Sequence, residues 1–167
     1  VTILLFLLAW TRFGLTLEWF RAVVLLSALV VVTGIDLDHR IIPDRITLSG
    51  IPVGLFLAWL LPPGIVSSVV GTVIGGGIFY LVALLSRGGM GGGDIKLAAM
   101  LGAFLGWSTA LLALFLGVLA GGVVGVVLLL LGVRGRKDPI PFGPFLALGG
   151  AVALLWGQPI LAWYLRL

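Results

Sequence analysis

The sequence predicts an all-α bundle embedded in a membrane, with about six to seven transmembrane or half-spanning helices in a single domain, 1–167. Hydrophobic residues make up 61% of the chain and the mean hydropathy is +1.31, which is more apolar surface than a soluble domain of this size needs. The apolar residues also form continuous runs without alternation. Such runs favour membrane helices over a β-barrel, because a helix satisfies its own backbone inside lipid.

The apolar runs divide into seven helical segments. The uncharged stretch from Leu97 to Val133 would be far longer than the ~30 Å hydrocarbon layer at ~1.5 Å per residue. It must therefore break, and Gly106-Trp107-Ser108 is the natural place. The stretch from Ile46 to Ser86 breaks in the same way at Pro62-Pro63-Gly64. The predicted segments are 1–13, 16–35, 46–61, 65–86, 94–106, 108–133 and 143–165.

Charged residues are divided unevenly between the two ends of the predicted bundle. One end holds seven Lys or Arg residues and the other holds three. Because basic residues are more frequent in cytoplasmic loops, the end with seven is predicted to face the cytoplasm. All six tryptophans fall at or towards the opposite end, which supports the helix count. The seven basic residues are Arg40, Arg45, Arg87, Lys96, Arg134, Arg136 and Lys137.

Composition excludes several kinds of site. The chain has no cysteine, so disulfides, thiolate zinc sites and cysteine nucleophiles are excluded. His39 is the single histidine, and we predict no metal and no cofactor. The net charge of +4 comes from basic residues scattered between apolar runs, a pattern of topology determinants that argues against a nucleic-acid partner.

Glycines recur at four-residue spacing in two of the predicted helices. They are Gly71 and Gly75 in one helix, and Gly117, Gly121 and Gly125 in another. Small residues at this spacing let membrane helices approach closely. The pattern leaves open whether these faces pack within one chain or between two copies in a homo-oligomer.

Four of the six carboxylates lie in two short patches, 36–44 and 92–96. Asp36 ends a predicted helix, and Asp94 begins the short helix that follows a glycine run at the same end of the bundle. Ionisable groups at membrane depth are costly and usually functional. Two carboxyl groups at close range share one proton, so the ionised one can take a proton from water while the protonated one donates to a peptide carbonyl. The pair therefore suggests an aspartyl protease with a bell-shaped dependence of rate on pH.

Position alone allows other interpretations of these residues. Asp36 could be an interfacial residue at a helix end, Asp94 could be an N-cap, and Asp44 could cap the helix near Ile46. A polytopic ion-coupled or proton-coupled transporter, or a non-catalytic membrane scaffold, would also place carboxylates in a membrane chain. A transporter tends to hold its acids near the midplane, whereas these acids cluster at one end.

Three motifs follow one another between residues 36 and 149. They are Asp36-x-x-x-Arg40-x-Ile42-Pro43-Asp44, then Gly91-x-Gly93-Asp94-x-Lys96, then Ile140-Pro141-Phe142-Gly143-Pro144-Phe145-Leu146-Ala147-Leu148-Gly149. In this order they resemble the motifs of type IV prepilin peptidases, a family of GxGD-type membrane aspartyl proteases similar to archaeal preflagellin peptidases. The resemblance implies that Asp36 and Asp94 are the catalytic pair. It suggests supporting or substrate-binding roles for Gly91, Gly93, Lys96, Arg40, Pro43, Asp44, Pro141, Gly143 and Pro144.

The resemblance also implies a substrate and a location. Such enzymes cleave the short basic leader of pilins and pseudopilins next to a glycine, at the cytoplasmic face of the bacterial inner membrane. Full-length bacterial members usually carry a cytoplasmic region with paired cysteines and methylate the new N-terminus with S-adenosylmethionine. Because this chain lacks cysteine, we expect a piece of such an enzyme or a short peptidase-only form, without methyltransferase activity of its own.

Overall fold

The computed structural model describes residues 1–86, 90–132 and 141–165. Every regular element in these ranges is an α-helix, so the all-α prediction is confirmed. Four of the helices, α2, α4, α5 and α6, are long and apolar enough to cross a membrane, and the chain is a membrane protein. The helices are α1 Thr2–Phe13, α2 Leu17–His39, α3 Asp44–Leu60, α4 Ile65–Leu85, α5 Gly92–Leu130 and α6 Gly143–Tyr164.

Helix α5 folds back on itself at Gly106. This residue has φ 74° and ψ 171°, a conformation that glycine adopts without steric cost. A Cβ added at Gly75 of α4 would lie 2.7 Å from the carbonyl oxygen of Ala98 and 3.7 Å from Cδ1 of Leu114. Positions equally far before and after Gly106 therefore face the same point of α4, and the two arms of α5 run antiparallel. The predicted break at 106–108 is confirmed. The two arms are 92–105 and 107–130.

The first arm of α5 forms the centre of the bundle. It packs against α3, α4 and α6, and most of its side chains from Leu97 onwards are buried because small residues on its neighbours allow close approach. Aliphatic side chains of α2 complete this core. The N-terminus of the central arm carries Asp94, so the position of this carboxyl group is fixed by the best-packed segment of the protein. The fully buried side chains of the first arm include Leu97, Met100 and Leu101.

Glycine faces bring the helices into backbone contact. A Cβ at Gly102 would lie 2.2 Å from the backbone carbon and oxygen of Gly71, and a Cβ at Gly149 would lie 2.2 Å from the oxygen of Ala113. The faces that contain Gly71 and Gly117 are thus occupied by helices of the same chain. Of the two arrangements that the spacing leaves open, the structure shows packing within one chain at Gly71 and Gly117, and association between copies stays a prediction.

Helix ends near the acidic patches differ from the predicted ones. Helix α2 continues four residues beyond position 35, to His39, because no proline interrupts it before position 43. Asp36 consequently lies in the last turn and does not end the helix. Helices α3 and α5 each begin two residues earlier than predicted, with Pro43 and Gly91 at their N-caps. The suggested capping roles of Asp44 and Asp94 are therefore wrong, since both lie inside the first turn.

Candidate active site

The N-terminus of α6 holds the carboxylate of Asp36. The backbone N–H of Gly143 donates a hydrogen bond of 2.9 Å to Oδ2 of Asp36, across 107 residues of sequence. Gly143 is the first residue of α6, where the backbone N–H groups have no partner inside the helix and the helix dipole favours negative charge. Asp36 itself is only 5% exposed. The Gly143 N–H favours the ionised form of this carboxyl group, whereas its burial disfavours that form.

Position 143 requires glycine for this contact. A Cβ there would lie 2.7 Å from Oδ2 of Asp36, a distance that real Cβ atoms essentially never show, and 3.1 Å from Cγ. Pro144 follows in the first turn of α6, where proline is tolerated because its missing N–H would have had no helical partner. The Gly-Pro pair thus begins the helix and leaves room for the carboxylate.

Asp94 lies opposite, in the first turn of α5. Its side chain is 9% exposed, and its Oδ1 is buried without a hydrogen-bond partner in the part of the chain that the structure describes. Its backbone N–H donates to the carbonyl of Gly91 at 3.2 Å. A buried carboxylate oxygen without a hydrogen-bond partner is unfavourable. The surroundings of Asp94 therefore favour its protonated form, which can donate a proton.

Both carboxyl groups line one cavity of about 570 Å³. Its walls come from the last turn of α2, the α2–α3 loop, the start of α3, the segment before α5 with the first turn of α5, and the residues before α6. This volume lies within the range typical of ligand pockets, roughly 300–1,000 Å³. The lining residues are Asp36, Arg40, Ile41, Ile42, Asp44, Met90, Gly91, Gly93, Asp94, Pro141 and Phe142.

Most of the predicted site residues meet at this cavity. Seven of them line it, namely Asp36, Asp94, Gly91, Gly93, Arg40, Asp44 and Pro141. Gly143 joins them through its hydrogen bond to Asp36. Pro43, Pro144 and Lys96 are not among the lining residues. Lys96 instead donates from Nζ to the carboxylate of Asp44 at 2.7 Å. Ile140 of the third motif, and the basic residues Arg87, Arg134, Arg136 and Lys137, lie outside the described residues.

Comparison with known proteins identifies the family. Residues 23–126 match the type IV leader peptidase family, over more than half of the chain. The chain belongs to this family. The resemblance predicted from the three motifs is therefore confirmed, and two of those motifs lie inside the matched residues.

Three relatives carry the name prepilin leader peptidase/N-methyltransferase. That of Bacillus subtilis (strain 168) is 37% identical over 169 residues, which cover 100% of this chain and 68% of the relative. That of Aeromonas salmonicida (strain A449) is 41% identical over 150 residues, covering 86% of this chain and 52% of the relative. That of Pseudomonas aeruginosa is 38% identical over 164 residues, covering 95% of this chain and 56% of the relative. The chain thus spans between about half and two thirds of the length of these relatives. No solved structure matches it significantly.

Arg40 shapes the site of this family member through its backbone. It follows α2 with φ 56° and ψ 37°, and its N–H donates to the carbonyl of Asp36 at 2.9 Å. A left-handed conformation is uncommon for a residue other than glycine and often marks a functional constraint. The conformation ends α2 one turn after Asp36 and directs the loop towards the N-terminus of α5. Arg40 is exposed and lines the cavity.

Four lining residues were not among the predicted site residues. They are apolar, and hydropathy alone does not distinguish them from the many other apolar residues of a membrane chain. Position within the motifs gives a signal for two of them: Ile42 lies inside the first motif, and Phe142 lies between Pro141 and Gly143 in the third. The four residues are Ile41, Ile42, Met90 and Phe142.

Proposed function

We propose that this protein is a membrane aspartyl endopeptidase that removes the leader peptide of type IV prepilin-like proteins. The observation that carries the proposal is the meeting of Asp36 and Asp94, from two different helices, at one cavity. The names of the relatives support the substrate class. A transporter or a scaffold is less favoured, because the two carboxyl groups lie near helix ends at one end of the bundle and the family is one of peptidases.

The two carboxyl groups have different surroundings, and we assign them different roles. Asp36 accepts the Gly143 N–H and acts as the ionised base that takes a proton from the attacking water. Asp94 has a buried oxygen without a partner and donates its proton to the carbonyl oxygen of the scissile peptide. The resulting tetrahedral diol breaks its C–N bond when the proton held by Asp36 passes to the leaving nitrogen. Asp94 recovers its proton as the diol oxygen returns to a carbonyl, and the pair ends with one proton, as it began.

The walls of the cavity fit an extended peptide next to a membrane helix. Acidic groups line one part of the cavity, whereas Ile41, Met90 and Phe142 provide apolar surface. We propose that a short stretch of extended chain on both sides of the scissile bond enters here, while the hydrophobic helix of the substrate stays in the bilayer. Asp44, an exposed acid that lines the cavity, is suited to the basic residues of a leader.

We propose that the cavity faces the cytoplasm at the bacterial inner membrane. Among the described residues, Arg40, Arg45 and Lys96 lie at the cavity end, as the positive-inside rule requires for a cytoplasmic face. The chain has no cysteine, so a single introduced thiol can be labelled without background. In spheroplasts, a membrane-impermeant maleimide should label Leu15→Cys at the opposite end and should not label Ser86→Cys at the cavity end. The reverse pattern would contradict the proposed orientation.

Methyl transfer is not part of the proposal. The family resemblance associates that activity with a cysteine-containing region, and this chain has no cysteine. We expect the purified chain to cleave a prepilin without transferring labelled methyl groups from S-adenosylmethionine. Methylated product from this chain alone would contradict this part of the proposal.

The direct test is cleavage of a purified prepilin by the full chain in liposomes, with the product identified by mass spectrometry. Wild type should release the leader next to its glycine, and Asp94→Asn should not. Asp38→Ala is the matched control, because Asp38 is exposed and lies outside the cavity lining among the described residues. It should retain substantial activity. Cleavage by Asp94→Asn at a rate near that of wild type would contradict the proposal.

A further inference from the structure

Ile42 is buried in a loop whose neighbouring residue is exposed. The loop joins α2 to α3, and Ile41 in it is 62% exposed, whereas Ile42 is only 7% exposed. Ile41 and Ile42 are adjacent and equally apolar, so the difference in exposure must come from what surrounds each side chain. The side chain of Ile42 therefore packs into a defined space, called the slot below. That slot lies between the starts of two other helices.

One wall of the slot is the first turn of α5. A Cβ added at Gly93 would lie 2.7 Å from Cβ, 3.4 Å from Cγ1 and 3.4 Å from the carbonyl oxygen of Ile42. Ile42 therefore packs directly on the backbone of Gly93, the residue that precedes Asp94. The close approach is possible because Gly93 has no side chain.

The other wall is the first residue of α6. A Cβ added at Gly143 would lie 3.2 Å from Cδ1 of Ile42, on the same side as the carboxylate of Asp36. The far end of the Ile42 side chain thus reaches the residue whose N–H binds Asp36. A single aliphatic side chain lies between the helix start that carries one carboxyl group and the helix start that holds the other.

The loop is fixed at both of its ends. Before Ile42, the N–H of Arg40 donates to the carbonyl of Asp36 at 2.9 Å. After it, the carboxylate of Asp44 accepts from Nζ of Lys96 at 2.7 Å, and Lys96 belongs to the first turns of α5. Isoleucine is also stiff at χ1 because it is β-branched. These constraints leave the side chain little freedom to leave its slot.

We propose that Ile42 is a positioning residue for the reaction, a spacer that sets the separation of the Asp36 and Asp94 carboxyl groups. The inference rests on the proposed peptidase function and extends it. The spacer touches Gly93 through its β-carbon and Gly143 through its δ-methyl group, so it acts on the pair through the two helix starts. The separation matters because the sharing of one proton by two carboxyl groups weakens as they move apart.

The test compares Ile42→Val and Ile42→Ala with wild type in the liposome cleavage assay. Valine keeps the contact with Gly93 and loses only the δ-methyl group at Gly143, so kcat should fall by roughly threefold to tenfold. Alanine loses the contact of Cγ1 with Gly93 and the contact of Cδ1 with Gly143, and it should lower kcat by more than about tenfold. The bell-shaped pH profile of kcat should also become wider from wild type to valine to alanine, because a shorter spacer lets the two helix starts approach and the stronger coupling moves the two limbs apart.

Leu57→Ala is the matched control for general destabilisation. Leu57 is 5% exposed in α3 and lies more than three helical turns after Asp44, outside the cavity lining among the described residues. Its truncation should lower the thermal midpoint about as much as Ile42→Ala while the pH profile keeps its width. If Ile42→Ala lowered the whole pH profile of kcat without widening it, or changed only KM, Ile42 would be a packing or substrate-contact residue and the spacer proposal would be refuted.

The same assay distinguishes a wrong proposal for Ile42 from a wrong proposal for the peptidase function. Cleavage by wild type together with unchanged kcat and pH width in both Ile42 variants would contradict the spacer alone. Absence of cleavage by wild type would contradict both. Should Ile42→Ala fail to fold, Ile42→Val still decides the matter, because removal of one methyl group is a small change for the fold.

Discussion

The hydrogen bond from Gly143 to Asp36 offers a sharp test of the site, through the substitution Gly143→Ala. The added Cβ would lie 2.7 Å from Oδ2 of Asp36, whereas ordinary contacts of a Cβ begin near 3.4 Å. The carboxylate and the start of α6 must therefore separate by about 0.7 Å. The hydrogen bond, now 2.9 Å, would stretch beyond the ~3.5 Å at which such bonds are effectively lost.

The expected size of the effect follows from that lost bond. A hydrogen bond to a charged group contributes about 1.5–3 kcal/mol, and each ~1.4 kcal/mol corresponds to a tenfold change in rate. If the bond holds Asp36 ready as the base, kcat for prepilin cleavage in liposomes should fall roughly 10-fold to 150-fold. Substrate binding should change less, because Gly143 is not among the described residues that line the cavity.

Gly34→Ala is the matched control for this substitution. Gly34 lies two residues before Asp36 in the same helix, and a Cβ there would meet nothing within 4 Å. Alanine in a helix interior is more favourable than glycine by roughly 0.5–1 kcal/mol, so this variant should be as active as wild type and at least as stable. A kcat for Gly143→Ala within about threefold of wild type would refute the role assigned to the bond.

Three further predictions concern packing, the surface ion pair and pH. Gly102→Ala should lower stability in detergent by at least 1–3 kcal/mol, because its Cβ would lie 2.2 Å from the backbone of Gly71, whereas Gly77→Ala, with nothing within 4 Å, should be neutral or stabilising. Equal thermal midpoints for the two variants would contradict this packing. Lys96→Ala should lower the free energy of unfolding by only about 0–1 kcal/mol, since its ion pair with Asp44 is solvent-exposed. A cleavage rate reduced more than about tenfold would instead indicate that Lys96 takes part in catalysis. The cleavage rate should be bell-shaped in pH, because only the pair with one proton can work, and a rate that rises continuously with pH would indicate a single base.

Much of the fold could be predicted because bilayer thickness limits helix length. An apolar run as long as 97–133 cannot be one spanning helix, and the glycine at position 106 marks the reversal that the structure contains. The same reasoning placed Asp36 and Asp94 at one end of the bundle. The hydrophobic runs and the glycine positions thus predict the order of the helices and the end of the bundle at which each one begins.

The details of the site could not be predicted, since they depend on contacts between distant segments. The bond from Gly143 to Asp36 joins residues 107 positions apart, and nothing local in the sequence signals it. The burial of Ile42 is similar, because its place in the first motif marks the residue but does not show that it packs between Gly93 and Gly143. The glycine faces could be predicted to pack closely, but their partners within the chain required the three-dimensional arrangement.

The most direct test of the central claim is a double-mutant cycle on the two carboxyl groups. Cleavage rates of wild type, Asp36→Asn, Asp94→Asn and the double variant are measured in the same liposomes, with Asp38→Asn as the matched control. If the two groups act as one unit, each single variant should be as inactive as the double variant, because loss of either member removes the shared proton. Asp38→Asn should remain active. Substantial cleavage by either single variant, or losses in the two single variants that add up in the double variant, would contradict a catalytic pair.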